Sequence, residues 1–421
     1  MKLTIARRAV VLVAAGAVLA ACSGGAATSS SGGEGDCIQS PTTGVTDDTI
    51  KLGNSAPLSG NLAVLSSYSY GAKAYFDMVN ATGGLEGPDG KKRQVEFIVK
   101  DDGYDPSRAK TNVEEMVNND EIYALVGNLG TATNLAIAPS LKEACVPNLW
   151  ALSGTPALAD PDTKGTINFA AVSTAEGRIF GEYLKEEKPD AKVAILVQNG
   201  DYGQPYLEGF EDSIEGTGIE IVDTQTYEPT DTDVRQQVTT LSATDADTFL
   251  VVALTTQAKQ ALNNAQSIGW KPEILIPSGT GMDVSQLQQL DQGAGENTII
   301  GSYLKDPAAS EGDPVMEEFL EYWNQVPGAD KFPASNGVAG WATADLFARA
   351  FKSAESIDRA DVVDAARNLD VEGDSVIRDG IKVRLEYPDD NFIIEGLQLQ
   401  RFDPATKSLT DLQIIDTDPT A

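Results

Sequence analysis

The sequence predicts an α/β protein made of two doubly wound parallel-sheet lobes joined by a multi-strand hinge. Strand-like runs alternate with helical stretches of roughly 10–15 residues, the pattern of repeated β-α-β units and a parallel sheet. The alternation runs through once, from Thr49 to about Leu152, and starts again at Thr174. The chain has 421 residues, of which 41% are hydrophobic and 22% charged, too long for a single core and ordinary in composition for a globular protein.

The elements follow in order. Thr49–Ala56 (TIKLGNSA) reads as a strand that ends in a Pro57-Leu58-Ser59-Gly60 turn. A helix is expected over Tyr68–Val79, stopped by Gly83-Gly84, then a strand at Gln94–Lys100 and a helix at Pro106–Asn118. Tyr123–Gly127 and Asn148–Leu152 are expected strands with a helix at about Asn134–Glu143 between them. The second round has a helix at Thr174–Lys185, the apolar strand Lys192–Val197 (KVAILV), a helix at Gln204–Ile214 and a strand at Gly218–Thr226. It continues with a helix at Val234–Leu241, the strand Thr248–Leu254, a helix at Gln257–Ile268 and a strand at Glu273–Ile276. Beyond that, Pro314–Asn324, Val338–Ser353 and Asp358–Asn368 have helical periodicity, while Asp379–Leu385 and Phe392–Phe402 are strand-like. These pieces are expected to complete the two lobes: residues 45–173 with 303–385, and residues 174–302 with 386–421. A chain that crosses more than once makes a hinge that opens and closes without unfolding either side.

The N-terminus reads as an address. Residues 1–21 carry Lys2, Arg7 and Arg8 ahead of an apolar stretch from Ala9 to Ala21, the pattern of a secretory signal peptide. Leu19-Ala20-Ala21-Cys22 resembles the lipobox of bacterial lipoproteins, which implies an acylated Cys22 and a membrane anchor. Residues 22–44, rich in Gly and Ser at their start, then form a tether. Cys37 and Cys145 remain, and in an exported chain the simplest arrangement is a Cys37–Cys145 disulfide; two separate buried thiols are the alternative.

Composition excludes several functions. The chain contains no histidine, so Ser-His-Asp and Cys-His nucleophile systems and histidine-built zinc sites are absent. With 31 Lys+Arg against 63 Asp+Glu, a net charge of −32, it is a poor partner for nucleic acid. No phosphate loop is present: Gly84 to Lys92 has the wrong spacing, and Gly279-Thr280-Gly281 lacks the third glycine of a dinucleotide motif. Asp101-Asp102 could be taken as a catalytic acid pair, but neighbours on an extended chain point to opposite faces. Asp231 with Asp233 and Asp245 with Asp247 lack the glycine and distal glutamate of a calcium loop. No metal, no cofactor and no enzymatic activity are expected.

The positive signal lies at strand ends, where open α/β sheets bind ligands. Ser59 follows the first strand, Gly127-Asn128-Leu129-Gly130-Thr131-Ala132-Thr133 follows the third, and Ser153-Gly154-Thr155 follows the fourth. Hydroxyls and free amides at a helix start make a pocket suited to a carboxylate. Any one of these residues could equally be a helix N-cap; their recurrence at successive strand ends favours a site.

These same stretches carry a family resemblance. APLSG at Ala56–Gly60, VNATGGLEG at Val79–Gly87, VKDDGYDPSRA at Val99–Ala109, VGNLGTAT at Val126–Thr133 and Gly200-Asp201-Tyr202-Gly203 occur in an order and spacing similar to the type I periplasmic-binding fold. Specifically, the chain resembles the branched-chain amino-acid (Leu/Ile/Val) class of ABC-transporter solute-binding proteins over about residues 46–402. The resemblance implies that ligand sits between two lobes, that Thr131 with Ala132 holds a carboxylate, that Ser153 and Thr155 hold carboxylate and ammonium, and that Tyr202 covers the ligand. Ser59, Gly154, Thr255 and Ser278 complete the candidate set. The chain departs from the family in having Ser278 where a carboxylate usually pairs the ammonium, and Leu62, Val64 and Leu65 where an aromatic is common. Either Asp283 or Asp201 substitutes, or the ligand is not an α-amino acid.

The function expected is therefore that of a lipid-anchored, monomeric receptor on the outer face of the membrane. It would capture an amino acid, short amide, urea-like compound or small organic acid and deliver it to an ABC permease and its ATPase. A receptor signalling to a membrane partner is the alternative, followed by an extracytoplasmic enzyme using acidic residues.

Overall fold

The computed structural model describes residues 42–159, 165–371, 375–385 and 391–416. The expected signal peptide, Cys22, most of the tether and Cys37 lie outside these residues. Cys145 is disulfide-bonded. No helix among the described residues is long and apolar enough to cross a membrane.

The first round of alternation builds β1 (Thr49–Ala56), α1 (Ser67–Ala81), β2 (Leu85–Glu86), β3 (Lys92–Asp101), α2 (Pro106–Glu115), β4 (Ala124–Val126), α3 (Thr131–Ala144), β5 (Asn148–Ala151) and β6 (Thr166–Asn168). Its sheet has the order β2-β3-β1-β4-β5-β6, parallel except for β2. Helices cover both faces: Leu125 points toward Val113 of α2 and Leu141 of α3, while Ile50, Leu52 and Val126 point toward Phe76 and Val79 of α1.

The second round builds α4 (Ser173–Glu187), β7 (Lys192–Gln198), α5 (Gln204–Ile214), β8 (Glu220–Tyr227), α6 (Arg235–Leu241), β9 (Thr248–Val252), α7 (Thr255–Ser267), β10 (Glu273–Ile276), α8 (Val284–Leu287) and β11 (Thr298–Ser302). The continuous apolar run of β7 is explained by burial on both faces. Val193, Ile195 and Val197 pack with Ile179, Phe180 and Phe210 of α4 and α5, whereas Ala194 and Leu196 pack with Val238, Leu241 and Leu262 of α6 and α7.

The C-terminal part returns to the first lobe as α9 (Pro314–Trp323), α10 (Ala334–Ser353) and α11 (Arg359–Arg367), then goes back as β12 (Gly396–Asp403) and β13 (Ser408–Asp416). These last strands extend the second sheet antiparallel, giving the order β13-β12-β11-β10-β9-β7-β8. Helix α10 lies on α1 so closely that the backbones touch: a Cβ on Gly71 would collide with the Gly337 carbonyl, and one on Gly340 with the Tyr68 carbonyl. Around that contact Trp341 stands edge-on to Tyr75 at 5.0 Å and to Phe319 at 5.5 Å.

The chain passes between the sheets after β6, after β11 and before β12. Two of these crossings are tied together, Asn168 N–H donating to Asn391 O at 2.6 Å and Ile393 N–H to Asn168 O at 3.3 Å. The third, at Leu304, forms an antiparallel bridge with Ile377.

Several elements differ from the sequence expectation. Helix α3 begins at Thr131, not near Asn134, which places the Thr131 hydroxyl in its first turn. Helix α2 ends at Glu115 in a wide turn over Met116–Asp120. Residues 379–385 form no strand: Gly380 (φ 87°) closes a turn in which Ile381 N–H bonds to Arg378 O, and Ile381 and Val383 are buried in a crossing segment with no ladder beside it. The alternation that suggested a strand is real, but it marks burial. Strands β2, β6, β11 and β13 have no counterpart in the sequence reading, being short, or, in β13, an edge strand with exposed Leu412 and Ile414.

Candidate functional site: a cleft between the two lobes

The carboxyl ends of the parallel strands face one another across an interlobe cleft. It has a small inner cavity of about 50 Å³ and a wide outer groove of about 840 Å³ that share Tyr104, Thr131, Tyr202 and Leu254 as walls.

Thr131 and Ser153 meet at the inner cavity. They come from separate crossover loops, both are buried, and their hydroxyls lie 2.9 Å apart in a mutual hydrogen bond. Thr131 heads α3 and Gly130 (φ 102°) precedes it, where a Cβ would press on the Tyr104 ring at 2.7 Å. That left-handed turn favours glycine and brings the first-turn amides of α3, which have no intrahelical partner, to the cleft. Gly154 lines the inner cavity and Ala132 the outer groove. The Ser153 loop follows a bulge in β5 at which buried Trp150 adopts φ 63°. Such a conformation in a bulky residue is costly and re-aims the strand end.

The second lobe supplies the opposite wall. Tyr202 sits over the cavity, its ring 5.6 Å from that of Tyr206 and its hydroxyl donating to Gly279 O at 3.1 Å. The Tyr206 hydroxyl is spent on Glu176 at 3.3 Å, and the Tyr104 hydroxyl accepts from the Thr131 amide. Leu65, Leu129 and Leu152 add apolar side chains to the same lining.

Other expected site residues are placed elsewhere. Ser59 donates to Asp101 Oδ2 at 2.6 Å and lines neither space. The Thr155 hydroxyl accepts from Ala157 N–H at 3.4 Å and caps a short turn. Thr255 donates to Thr280 O at 2.9 Å, holding the turn below the cavity from behind. Ser278 turns away from the inner cavity, because both its amide (2.7 Å) and its hydroxyl (2.9 Å) donate to Glu176. None of these four lines the inner cavity or the outer groove, their hydroxyls being bonded to nearer backbone or carboxylate groups.

Glu176 was missed by sequence reasoning. Ser173-Thr174-Ala175-Glu176 matches a helix capping box, a pattern that assigns the glutamate a local role. In the structure Val172 is the N-cap, with no side-chain capping bond, and the Glu176 side chain crosses to the 278–280 turn. Burial raises its pKa to about 7, against the lowering effect of the bonds from Ser278 and Tyr206.

Neither acid proposed to replace the missing family carboxylate reaches the inner cavity. Asp283 caps α8, accepting from Gln286 N–H at 3.0 Å and Ser285 Oγ at 2.6 Å, and from Ser335 Oγ of α10 at 2.6 Å, a direct link between lobes. Asp201 lines only the outer groove. Asp101 and Asp102 diverge: Asp101 binds Ser59 and Arg108, while buried Asp102 accepts from Ser55 Oγ at 2.8 Å, so the pair does not converge on one bond. Among the described residues no cluster of metal-ligating side chains occurs.

Residues 49–406 match the periplasmic binding protein family. The chain is 23% identical over 370 residues to Leu/Ile/Val-binding protein homolog 7 of Brucella abortus (strain 2308), covering 83% of this chain and 89% of that protein. Its fold is similar to that of a branched-chain amino acid ABC transporter protein from Thermus thermophilus with bound valine (TM-score 0.74, 18% identity, 88% of this chain and 97% of the other). It is similar also to the fatty acid ABC transporter substrate-binding protein from Thermomonospora curvata (TM-score 0.74, 23% identity, 89% and 94%).

Proposed function

Because the chain belongs to the periplasmic binding protein family, whose members are extracytoplasmic solute-binding proteins and not enzymes, we propose that it captures a small carboxylate-bearing solute between its lobes and delivers it to the permease of an ABC importer. The observation that carries this reading is the meeting of the Thr131 and Ser153 hydroxyls, from separate loops of one lobe, opposite Tyr202 of the other. A ligand touching both walls stabilises the closed arrangement over the open one. The similar proteins named for valine and for fatty acids take chemically different solutes that share a carboxylate.

The test is a thermal-shift screen of the protein against amino acids, short amides, urea and organic acids, since a true ligand raises the melting temperature with occupancy. Thr131→Ala and Tyr202→Ala are each expected to weaken binding of the strongest hit by roughly tenfold or more, Thr131 through loss of a charge-assisted hydrogen bond. Folded variants that both retain the full shift would remove these residues from the site.

Anchoring by lipid at Cys22 fits the same reading, because tethering keeps a receptor at high effective concentration near its permease. The partner of Cys145 in this proposal is Cys37, closing the end of the tether onto the first lobe. Cys37→Ser is expected to expose one thiol at Cys145 when the protein is denatured without reductant. Absence of that thiol would mean that Cys145 pairs elsewhere.

A further inference from the structure

Resting on the reading of the cleft as a solute site, we propose that the ligand is a monocarboxylic acid with an uncharged apolar body and no α-ammonium group. The inner cavity sets the requirement. Among the described residues lining it there is no Asp, Glu, Lys or Arg. Its polar groups on the first lobe suit an anion: a hydroxyl pair of which one proton is used in the Thr131–Ser153 bond, leaving the other to donate, and, in the first turn of α3, the amides that follow that of Thr131, which is itself bonded to Tyr104. A carboxylate held there leaves an α-ammonium two bonds from the carboxylate carbon, in a lining that includes Tyr202, Tyr206 and Leu152. Burying that charge without an anionic partner is costly.

Two acids beside this wall, buried Glu176 and half-buried Asp283, are already committed. Glu176 lies behind Gly279 and Tyr206, and its oxygens accept from Ser278 N–H, Ser278 Oγ, Tyr206 Oη and the Gly279 amide. Asp283 accepts from Gln286 N–H and from the hydroxyls of Ser285 and Ser335. Taking an ammonium on either would mean giving up donors that hold the wall of the cavity together. Size points the same way for the body: about 50 Å³ admits a head group, given that one water needs roughly 10–15 Å³ by the same measure, so the rest extends past Tyr104 and Tyr202 into the groove.

The experiment compares matched ligands by isothermal titration calorimetry on the purified protein: isocaproate, leucine and isocaproamide, and hydrocinnamate, phenylalanine and hydrocinnamamide. Each acid is expected to bind at least tenfold more tightly than both the amino acid and the amide of its carbon skeleton. An amino acid that binds as well as its acid overturns the absence of an α-ammonium, and an amide that does so overturns the carboxylate. If none of the six binds while another solute in the broader screen does, this inference fails and solute capture stands. If no solute binds at all, capture itself fails with it.

Discussion

Gly340→Ala is expected to destabilise the protein by on the order of 3 kcal/mol, near the upper end of the usual range for overpacking. The added Cβ would run into the Tyr68 carbonyl and lie 2.8 Å from the Ala72 amide nitrogen, and both are backbone atoms inside a helix. Neither can swing aside as a side-chain tip would, so α1 and α10 must separate. Their separation would also loosen the edge-on packing of Trp341 on Tyr75. Because Tyr68 lines the inner cavity from α1, ligand binding should weaken along with stability. Thermal unfolding with and without ligand measures both, with a fall of several degrees expected in the apo protein. An unchanged melting temperature would mean that these helices do not approach as closely as described.

Glu176→Gln is expected to act with the opposite sign at alkaline pH. The folded-state pKa of Glu176 is raised to about 7 from an ordinary value of 4.5, chiefly by burial. The folded protein therefore holds this proton where the unfolded chain has released it. Its stabilising contribution is complete below about pH 4.5 and is lost progressively as pH rises to about 7, a change of roughly 3 kcal/mol. A glutamine fills the same space, can accept from the Ser278 amide and can donate to the Ser278 and Tyr206 hydroxyls, without the charge. At pH 8 the variant should melt above the wild type, and the loss of stability between pH 5 and pH 8 should be smaller. Some pH dependence will remain, since burial also raises Asp283 and Asp345. A variant that melts lower than wild type at pH 8, with an unchanged pH slope, would place the ionised carboxylate as a stabilising group.

The first effect reaches the cavity through Tyr68 of the first lobe, the second through the wall that the second lobe supplies. Glu176 fixes the Ser278–Thr280 turn from below, and Tyr206, bound to Glu176, supports Tyr202. Protonation of a residue with no direct place in the inner cavity can thus alter the residues that line it.

What could be read in advance was whatever is local. Strands Thr49–Ala56 and Glu273–Ile276 and helix Gln204–Ile214 have the expected bounds because their apolar period, and the Gly and Pro residues around them, are properties of short stretches. For the same reason the Gly130-Thr131 and Ser153-Gly154 loops could be picked out as strand-end hydroxyl clusters. Local pattern could not say which hydroxyls would face the cleft. Ser59, Thr155, Thr255 and Ser278 look equivalent to Thr131 and Ser153 in sequence, and what separates them is whether another group claims the hydroxyl first. Asp101 is 42 residues from Ser59 in the chain, and Glu176 is 102 residues from Ser278. Glu176 shows the limit most clearly, since a local motif gave it a capping role that a distant turn overrode.

The α/β class, the repeated doubly wound pattern and the absence of histidine were legible in the amino-acid order alone, since period, composition and turn residues act over a few positions. It took the folded chain to join two of the strand-end loops by hydroxyls at 2.9 Å, to consume Glu176 and Asp283 as structural acceptors, and to leave no charged side chain among the described residues lining the inner cavity. These are consequences of competition for hydrogen-bond partners in a low-dielectric interior, and that competition is settled only when distant segments are brought together.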